Sequence, residues 1–129
     1  MAWQNGQKAG FCILWYGHKH VGDDFTPETY ELLVNFDIPD YASGKAAYLQ
    51  MKTLGVNFGY NHIYINDQLV GSLEPHGRYM QFDSIIVEAQ YLRKGRNTLK
   101  MIARNYKGGT SGIIDDYWVF DPMLIYPLG

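Results

Sequence analysis

The stretch GHKHVGDDF, from Gly17 to Phe25, sets two histidines and two aspartates almost side by side. On an extended chain His18 and His20, at i and i+2, point the same way, and with Asp23 or Asp24 they offer the nitrogen and oxygen ligands that a transition metal takes. The plain alternative is a solvated turn between strands, since exposed polar residues need no role. Near the other terminus Asp115 and Asp116 add two hard oxygen donors. A second group, Tyr60, His62, His76, Arg78, Tyr79 and Tyr106, suits a different chemistry. Sugars expose apolar C–H faces bordered by hydroxyls, so a binder needs flat rings for stacking and a few fixed polar groups, and tyrosine supplies both. Aromatics make up 16% of the chain, with 11 tyrosines, more than a core of this size requires. Tyrosine also fills half-buried strand positions, so any one of them can be structural.

The elements that position these residues read as strands, because the pattern along the chain has period two. In TYELLVNFDIP, Tyr30, Leu32, Val34, Phe36 and Ile38 share one face and Glu31, Leu33, Asn35 and Asp37 the other. Ala47, Leu49 and Met51 alternate with Tyr48 and Gln50, and HIYINDQLVGSL reads as a hairpin turning at Asn66 and Asp67, residues that tolerate positive φ. MQFDSIIVEA is a further strand. YLRKGRNTLKMIARN reads as two strands about a glycine turn, with Leu99, Met101 and Ala103 facing inward. YWVFDPMLIY closes the set; Pro122, which cannot donate to a ladder, marks an edge or a bulge there. FCILWYG opens it and is apolar on both faces. Trp15 and Trp118 are expected in the core. About eight short strands without a helical stripe predict an all-β antiparallel sandwich or barrel. At 129 residues the chain suits one domain, residues 1–129.

Several of these stretches also carry a family resemblance. IYINDQLVGSL (Ile63–Leu73), Phe82 and the run Tyr91–Asn105 resemble the galactose-binding-domain-like jelly rolls, among them the sugar-binding domains of family 2 glycoside hydrolases and many carbohydrate-binding modules. In those families a strand ends in Asn-Gly, the next carries Val-Gly, and a Leu, Gly, Asn, Leu series opens a later strand. Here Asp67 follows Asn66 in place of glycine, while Val70, Gly71, Leu92, Gly95, Asn97 and Leu99 match. DDYWVFDPMLIY is similar to the final strand of such modules, so the resemblance runs from Ile63 to Tyr126. It implies a jelly roll and a glycan as partner. It also implies a structural calcium near the joined terminal loops, for which Asp23, Asp24, Asp115 and Asp116 are the oxygen donors. Its motifs are structural: Gly95 and Asn97 make a turn. The fold itself serves sugar binding, protein binding and architecture alike.

Antiparallel strands reverse at each step, so alternate connections fall at opposite ends of a sandwich. Counting from FCILWY, the connections HKHVGDDFTPE, LGVNFGYN, EPHGRY and YKGGTSGIIDD all fall at one end, here called the rim. All four histidines, Asp23, Asp24, Asp115, Asp116, Arg78, Tyr60, Tyr79 and Tyr106 are thus expected at or beside it, and loops on a rigid scaffold commonly carry binding surfaces.

Other classes find less support. The charge is 11 minus 13, or −2, and no basic run exceeds LRKGR, so nucleic acid is not expected as a partner. No stretch approaches the ~20 apolar residues that cross a bilayer, and MAWQNGQKAGF lacks the form of a secretory signal. The chain as given is therefore expected to be soluble, and its compartment stays open. Cys12 is the only cysteine, which excludes an internal disulfide. Asp24 and Asp116 could meet as a carboxylate pair, but nothing lifts them above other loop acids, and phosphate loops and nucleophile elbows are missing. Cupins also carry His-x-His on a jelly roll, but the glycine before it and the downstream glutamate and third histidine are wanting here. No enzyme activity and no required cofactor are expected. Two readings follow: a non-catalytic carbohydrate-binding module using the rim, or a structural or assembly module of a larger particle or cell-surface complex. In the second, the doubly apolar strand Phe11–Tyr16 makes a homo-oligomer or wider assembly unless the segment carrying Trp3 covers it.

Overall fold

A computed structural model describes Trp3 and residues 5–22, 31–56, 60–77, 79–103 and 116–129. Among these, nine strands form: β1 (Ala9–Ile13), β2 (His18–Val21), β3 (Glu31–Ile38), β4 (Ala47–Leu54), β5 (Asn61–Ile65), β6 (Gln68–Leu73), β7 (Gln81–Val87), β8 (Gly95–Ile102) and β9 (Tyr117–Pro127). They make two antiparallel sheets. One runs β1-β9-β4-β7, with β2 also on β9; the other runs β3-β8-β5-β6.

Alternation explains the sandwich. Phe36 and Ile38 of β3, Ala47, Leu49 and Met51 of β4, Ile63 and Ile65 of β5, and Leu99 and Met101 of β8 are buried on the inner faces, as their parity requires. Each of these side chains larger than alanine contributes roughly 1.5–3 kcal/mol on burial. The β5–β6 hairpin turns at Asn66 (φ 52) and Asp67 (φ 65), as the sequence predicts. The pair of strands expected in YLRKGRNTLKMIARN is one strand only. Ala89–Tyr91 takes a 3-10 turn instead, and β8 starts at Gly95.

The side chains of Asn66 and Asn97 hold that end together. Asn66 Nδ2 donates to Tyr91 O (2.9 Å) and Asn97 Oδ1 (2.8 Å), while Asn66 Oδ1 accepts from Thr98 N (3.0 Å). Asn97 Oδ1 also accepts from Arg93 N, and its Nδ2 donates to Arg93 O and Gly95 O. Asn97 is 1% exposed, so these bonds replace water that it has lost. The residues behind the family resemblance therefore close a turn at the end opposite the rim.

The opening strand differs from expectation. β1 stops at Ile13 and β2 resumes at His18, both lying along the same side of β9. The break faces Asp121 and Pro122. Pro122 has no N–H, Asp121 has φ 47, and the β4–β9 register shifts between Gln50 and Lys52. Leu14 N donates to Pro122 O (2.9 Å), Asp121 N to Gly17 O (2.9 Å) and Gly17 N to Asp121 Oδ1 (2.6 Å), which carries the edge across the bulge. Pro122 thus marks a bulge inside a central strand. The turn expected at GHKH is a strand, because β9 is long enough to pair with two edge segments in succession.

Trp15 lies in the core, as expected, although its buried Nε1 has no hydrogen-bond partner. Trp118 does not; it is 37% exposed on the outer face of the β9 sheet. Trp3 donates to Ala46 O (2.7 Å) and packs on Tyr48 at 5.8 Å, yet Phe11 remains 63% exposed. The N-terminal segment covers only one side of the apolar face.

Candidate functional site

The site follows from the parity of β9. Tyr117, Val119, Leu124 and Tyr126 point inward and are buried. Both tyrosine hydroxyls find acceptors, Tyr117 Oη at Ile102 O (2.8 Å) and Tyr126 Oη at Asp40 Oδ1 (2.7 Å). Trp118 and Phe120, one residue out of phase with Tyr117 and Val119, must therefore point outward; the bulge at Asp121 shifts the phase, so that Leu124 and Tyr126 beyond it face inward again.

Cross-strand register extends these two rings into rows. His18 of β2 pairs with Phe120 of β9, Phe120 with Lys52 of β4, and Lys52 with Phe82 of β7. The next row toward the rim is His20, Trp118 and Leu54. His20 stacks on Trp118 at 4.3 Å and 7°, and His18 meets Trp118 edge-on at 5.0 Å and Phe120 at 5.8 Å. Phe82 is 59% exposed. Two hollows share Phe120: one of about 260 Å³ lined by His18, Leu54, Trp118 and Phe120, and one of about 130 Å³ lined by Gln50, Lys52, Phe82, Phe120, Asp121 and Met123. The result is a shallow aromatic strip on a rigid sheet, bordered by polar side chains.

At its upper end the strip meets the rim. His20 Nε2 lies 2.9 Å from Asp116 Oδ2. Gly22 makes that approach workable, since at φ +90 a Cβ there would stand 2.6 Å from Ala103 Cβ and 3.1 Å from Asp116 Cβ. Gly55 packs beside the Asp116 carbonyl, and the next residue, Val56, accepts at its carbonyl from His76 N (2.8 Å) and Gly77 N (3.0 Å). His76 Nε2 is 2.9 Å from Thr53 Oγ1, which donates to Asp83 Oδ2 (2.7 Å), and His76 Nδ1 is 2.9 Å from Tyr79 O. His20, Asp116 and His76 therefore share one end, with His18 one step down the strip.

Of the other residues singled out in the sequence, Tyr60 and Tyr79 are exposed at that end, 53% and 81%. His62 faces outward from the other sheet, with Nδ1 2.6 Å from Ser72 Oγ and its ring edge-on to Tyr64. Asp23, Asp24, Arg78, Tyr106 and Asp115 lie outside the described residues. Among the described residues no group of three or more His, Cys, Asp or Glu gathers as a metal requires, and Asp116 is engaged by His20. His18 and His20 share a side, but both lie against Trp118. Burial pushes the Cys12 thiol above its ordinary value; the Asp37 carbonyl bond opposes this, and the Asp37 and Asp40 carboxylates add to it. A reactive thiolate is thereby disfavoured. Trp118, Phe120, Phe82 and Lys52 were missed as site residues. The signal for the first two was present: in YWVF, Tyr117 and Val119 in the core put Trp118 and Phe120 outside.

No family model matches the chain, and no curated protein matches it. Solved structures do. One is a β-porphyranase of glycoside hydrolase family 86 from the human gut bacterium Bacteroides plebeius, at 16% identity and a TM-score of 0.56, over 93% of this chain and 20% of that one. Another is the CBM36-1 domain of a multidomain xylanase from the hindgut metagenome of Trinervitermes trinervoides, at 13% identity and a TM-score of 0.55, over 95% of this chain and 99% of that one. A mutant of a family 29 carbohydrate-binding module matches at 12% identity and a TM-score of 0.50, over 95% and 94%. The chain thus spans only 20% of the porphyranase but nearly all of each binding module. With its two antiparallel sheets, it has the jelly-roll sandwich fold of these carbohydrate-binding modules.

Proposed function

We propose that this chain is a non-catalytic carbohydrate-binding module. A glycan would stack on the strip of Trp118, Phe120 and Phe82, with His18 at its edge, and reach the rim, where His20, Asp116, His76, Tyr60 and Tyr79 border it. The observation that carries the reading is the outward parity of Trp118 and Phe120 on a central strand: two rings held by sheet register, not by mobile loops, in a face that has no core to fill. Stacking on sugar C–H faces needs such preset rings, because ordering them on binding would cost affinity. The structural neighbours that the chain covers almost end to end are binding modules, which supports the non-catalytic part. A glycan array tests it. Specific hits that vanish in Trp118→Ala carry the strip, hits lost only in Tyr79→Ala move the site to the loops, and a blank array ends the proposal.

A calcium ion on Asp116 with Asp23, Asp24 and Asp115 would stabilise only the native state, so a melting temperature that falls with chelator carries it and an unchanged one removes it. The assembly reading keeps one specific observation. Phe11, Ile125, Tyr48 and Ile86 form a row across β1, β9, β4 and β7, with Phe11 63% and Ile86 57% exposed. Concentration-dependent mass in light scattering would favour it.

A further inference from the structure

The strip alternates in a way that stacking alone does not explain. Reading across four strands, the row is His18, Phe120, Lys52, Phe82: a nitrogen donor, a ring, a cation, a ring. At the usual strand spacing it spans about 14 Å, room for a run of sugars. Lys52 is exposed, and among the described residues neither it nor His18 makes a hydrogen bond or ion pair. His18 packs against the rings of Trp118 and Phe120.

The acids around the strip are engaged. Asp121 accepts from Gly17 N at 2.6 Å, Asp116 meets His20 at 2.9 Å, and Asp83 accepts from Thr53 at 2.7 Å. Lys52 is thus an exposed positive charge between two rings, and the one carboxylate lining its hollow, Asp121, already accepts from Gly17 N. A neutral sugar offers hydroxyls that want acceptors as much as donors, whereas Lys52, at the middle of the row, offers three donors and no acceptor. An ammonium between two rings finds its best complement in an oxyanion carried by a pyranose that stacks beside it.

Resting on the glycan reading above, we infer that the ligand is an acidic glycan, its carboxylate or sulfate ester held by Lys52 with help from His18. The test is an array of matched oligosaccharides in three arms, neutral, uronate-containing and sulfate-ester-containing, probed with the wild type and with Lys52→Gln. Acidic hits are expected, the uronate and sulfate arms telling which anion it is. Lys52→Gln should weaken them about fivefold, the size of one exposed charge pair, and raised salt should weaken them in the wild type but less in the variant. An unchanged melting temperature should accompany the loss. Neutral hits as strong as the acidic ones, or acidic hits that Lys52→Gln leaves intact, overturn the inference while leaving the glycan module standing. A blank array takes down both.

Discussion

The two outer faces of the sandwich obey the same period-two rule and come out differently. On the β3-β8-β5-β6 sheet most outward side chains pair with one another, with Leu33 and Leu69 the exposed apolar exceptions: Thr98 Oγ1 donates to Asn35 Oδ1 (2.7 Å), Lys100 sits 4.7 Å over Tyr64, His62 meets Ser72, and Asp37 is in register with Arg96. On the β1-β9-β4-β7 sheet the outward side chains include Phe11, Ile13, Tyr48, Phe82, Ile86, Trp118, Phe120, Met123 and Ile125, with Lys52, Gln50, Ser84, His18 and His20 among them. One face is finished in water; the other is not. Cross-strand pairing stabilises the first, whereas the second leaves rows of large apolar side chains exposed. The contrast even runs through one strand, since β9 turns its tyrosines inward to acceptors and its tryptophan and Phe120 outward to none. Tyrosine, which looked from composition like the sugar-binding residue, is at those positions the residue that can afford burial.

The strongest way to break this contrast is to strip each face of its rings. Trp118→Ala with Phe120→Ala is expected to cost glycan affinity about 100-fold or more, as two hot-spot rings at roughly 2 kcal/mol each would, measured by isothermal titration with the best array hit. His62→Ala with Tyr64→Ala on the opposite face should leave that affinity unchanged. Equal losses would mean that neither face is special.

Stability should answer the other way. Asn97→Ala takes the side-chain acceptor from Arg93 N, one acceptor from Asn66 Nδ2 and a donor from each of Arg93 O and Gly95 O in a buried turn, so it is expected to cost about 2–3 kcal/mol by denaturant unfolding. Trp118→Ala, on the unfinished face, should cost well under that. A midpoint unmoved by Asn97→Ala would show that water fills the turn as well as the side chain does.

How much of this was legible follows from where the alternation is one-sided. In ELLVNFDI and AYLQMKTL one parity is apolar and the other mostly is not, so the inward rows of β3 and β4 could be read directly, and the Asn66 turn announced itself. FCILWYG and YWVFDPMLIY are apolar at both parities, and there the same rule has two solutions. Trp118 was assigned inward because a large apolar ring is costly to expose; Tyr117 and Tyr126, with hydroxyls that find Ile102 O and Asp40, occupy the inward places instead. β2 was illegible for a separate reason: HKHV has no apolar alternation, and it is a strand only because β9 continues past Pro122 and presents an edge. Phe82 and Lys52 join the strip through register between strands distant in sequence, which no local pattern encodes.

A smaller effect probes the exposed row. Phe11→Ser with Ile86→Ser removes apolar area that no described residue covers, so monomer stability should shift by only about 0.5 kcal/mol, the range of ordinary surface changes. If the row serves assembly, the same variant lowers the mass seen by light scattering at high concentration; if the mass is that of one chain for both proteins, assembly through this row is discarded.

The effect confined to the narrowest range of conditions lies on the inward side of β9 and runs with pH. Burial, first, and the bond from its hydroxyl to Asp40 with that carboxylate's charge, second, push the Tyr126 phenol up to about 12. An acid whose folded value is raised keeps its proton longer in the native state, so its contribution is complete below pH 10 and is lost as pH rises from 10 to about 12. Tyr126→Phe lacks this term. Its melting temperature should be lower than the wild type's at neutral pH, by the loss of one hydrogen bond, and the gap should close across that alkaline window, where outward-facing rings contribute nothing. Parallel curves would mean that the phenol ionises as it does in the unfolded chain and that the inward tyrosines of β9 are held by packing alone.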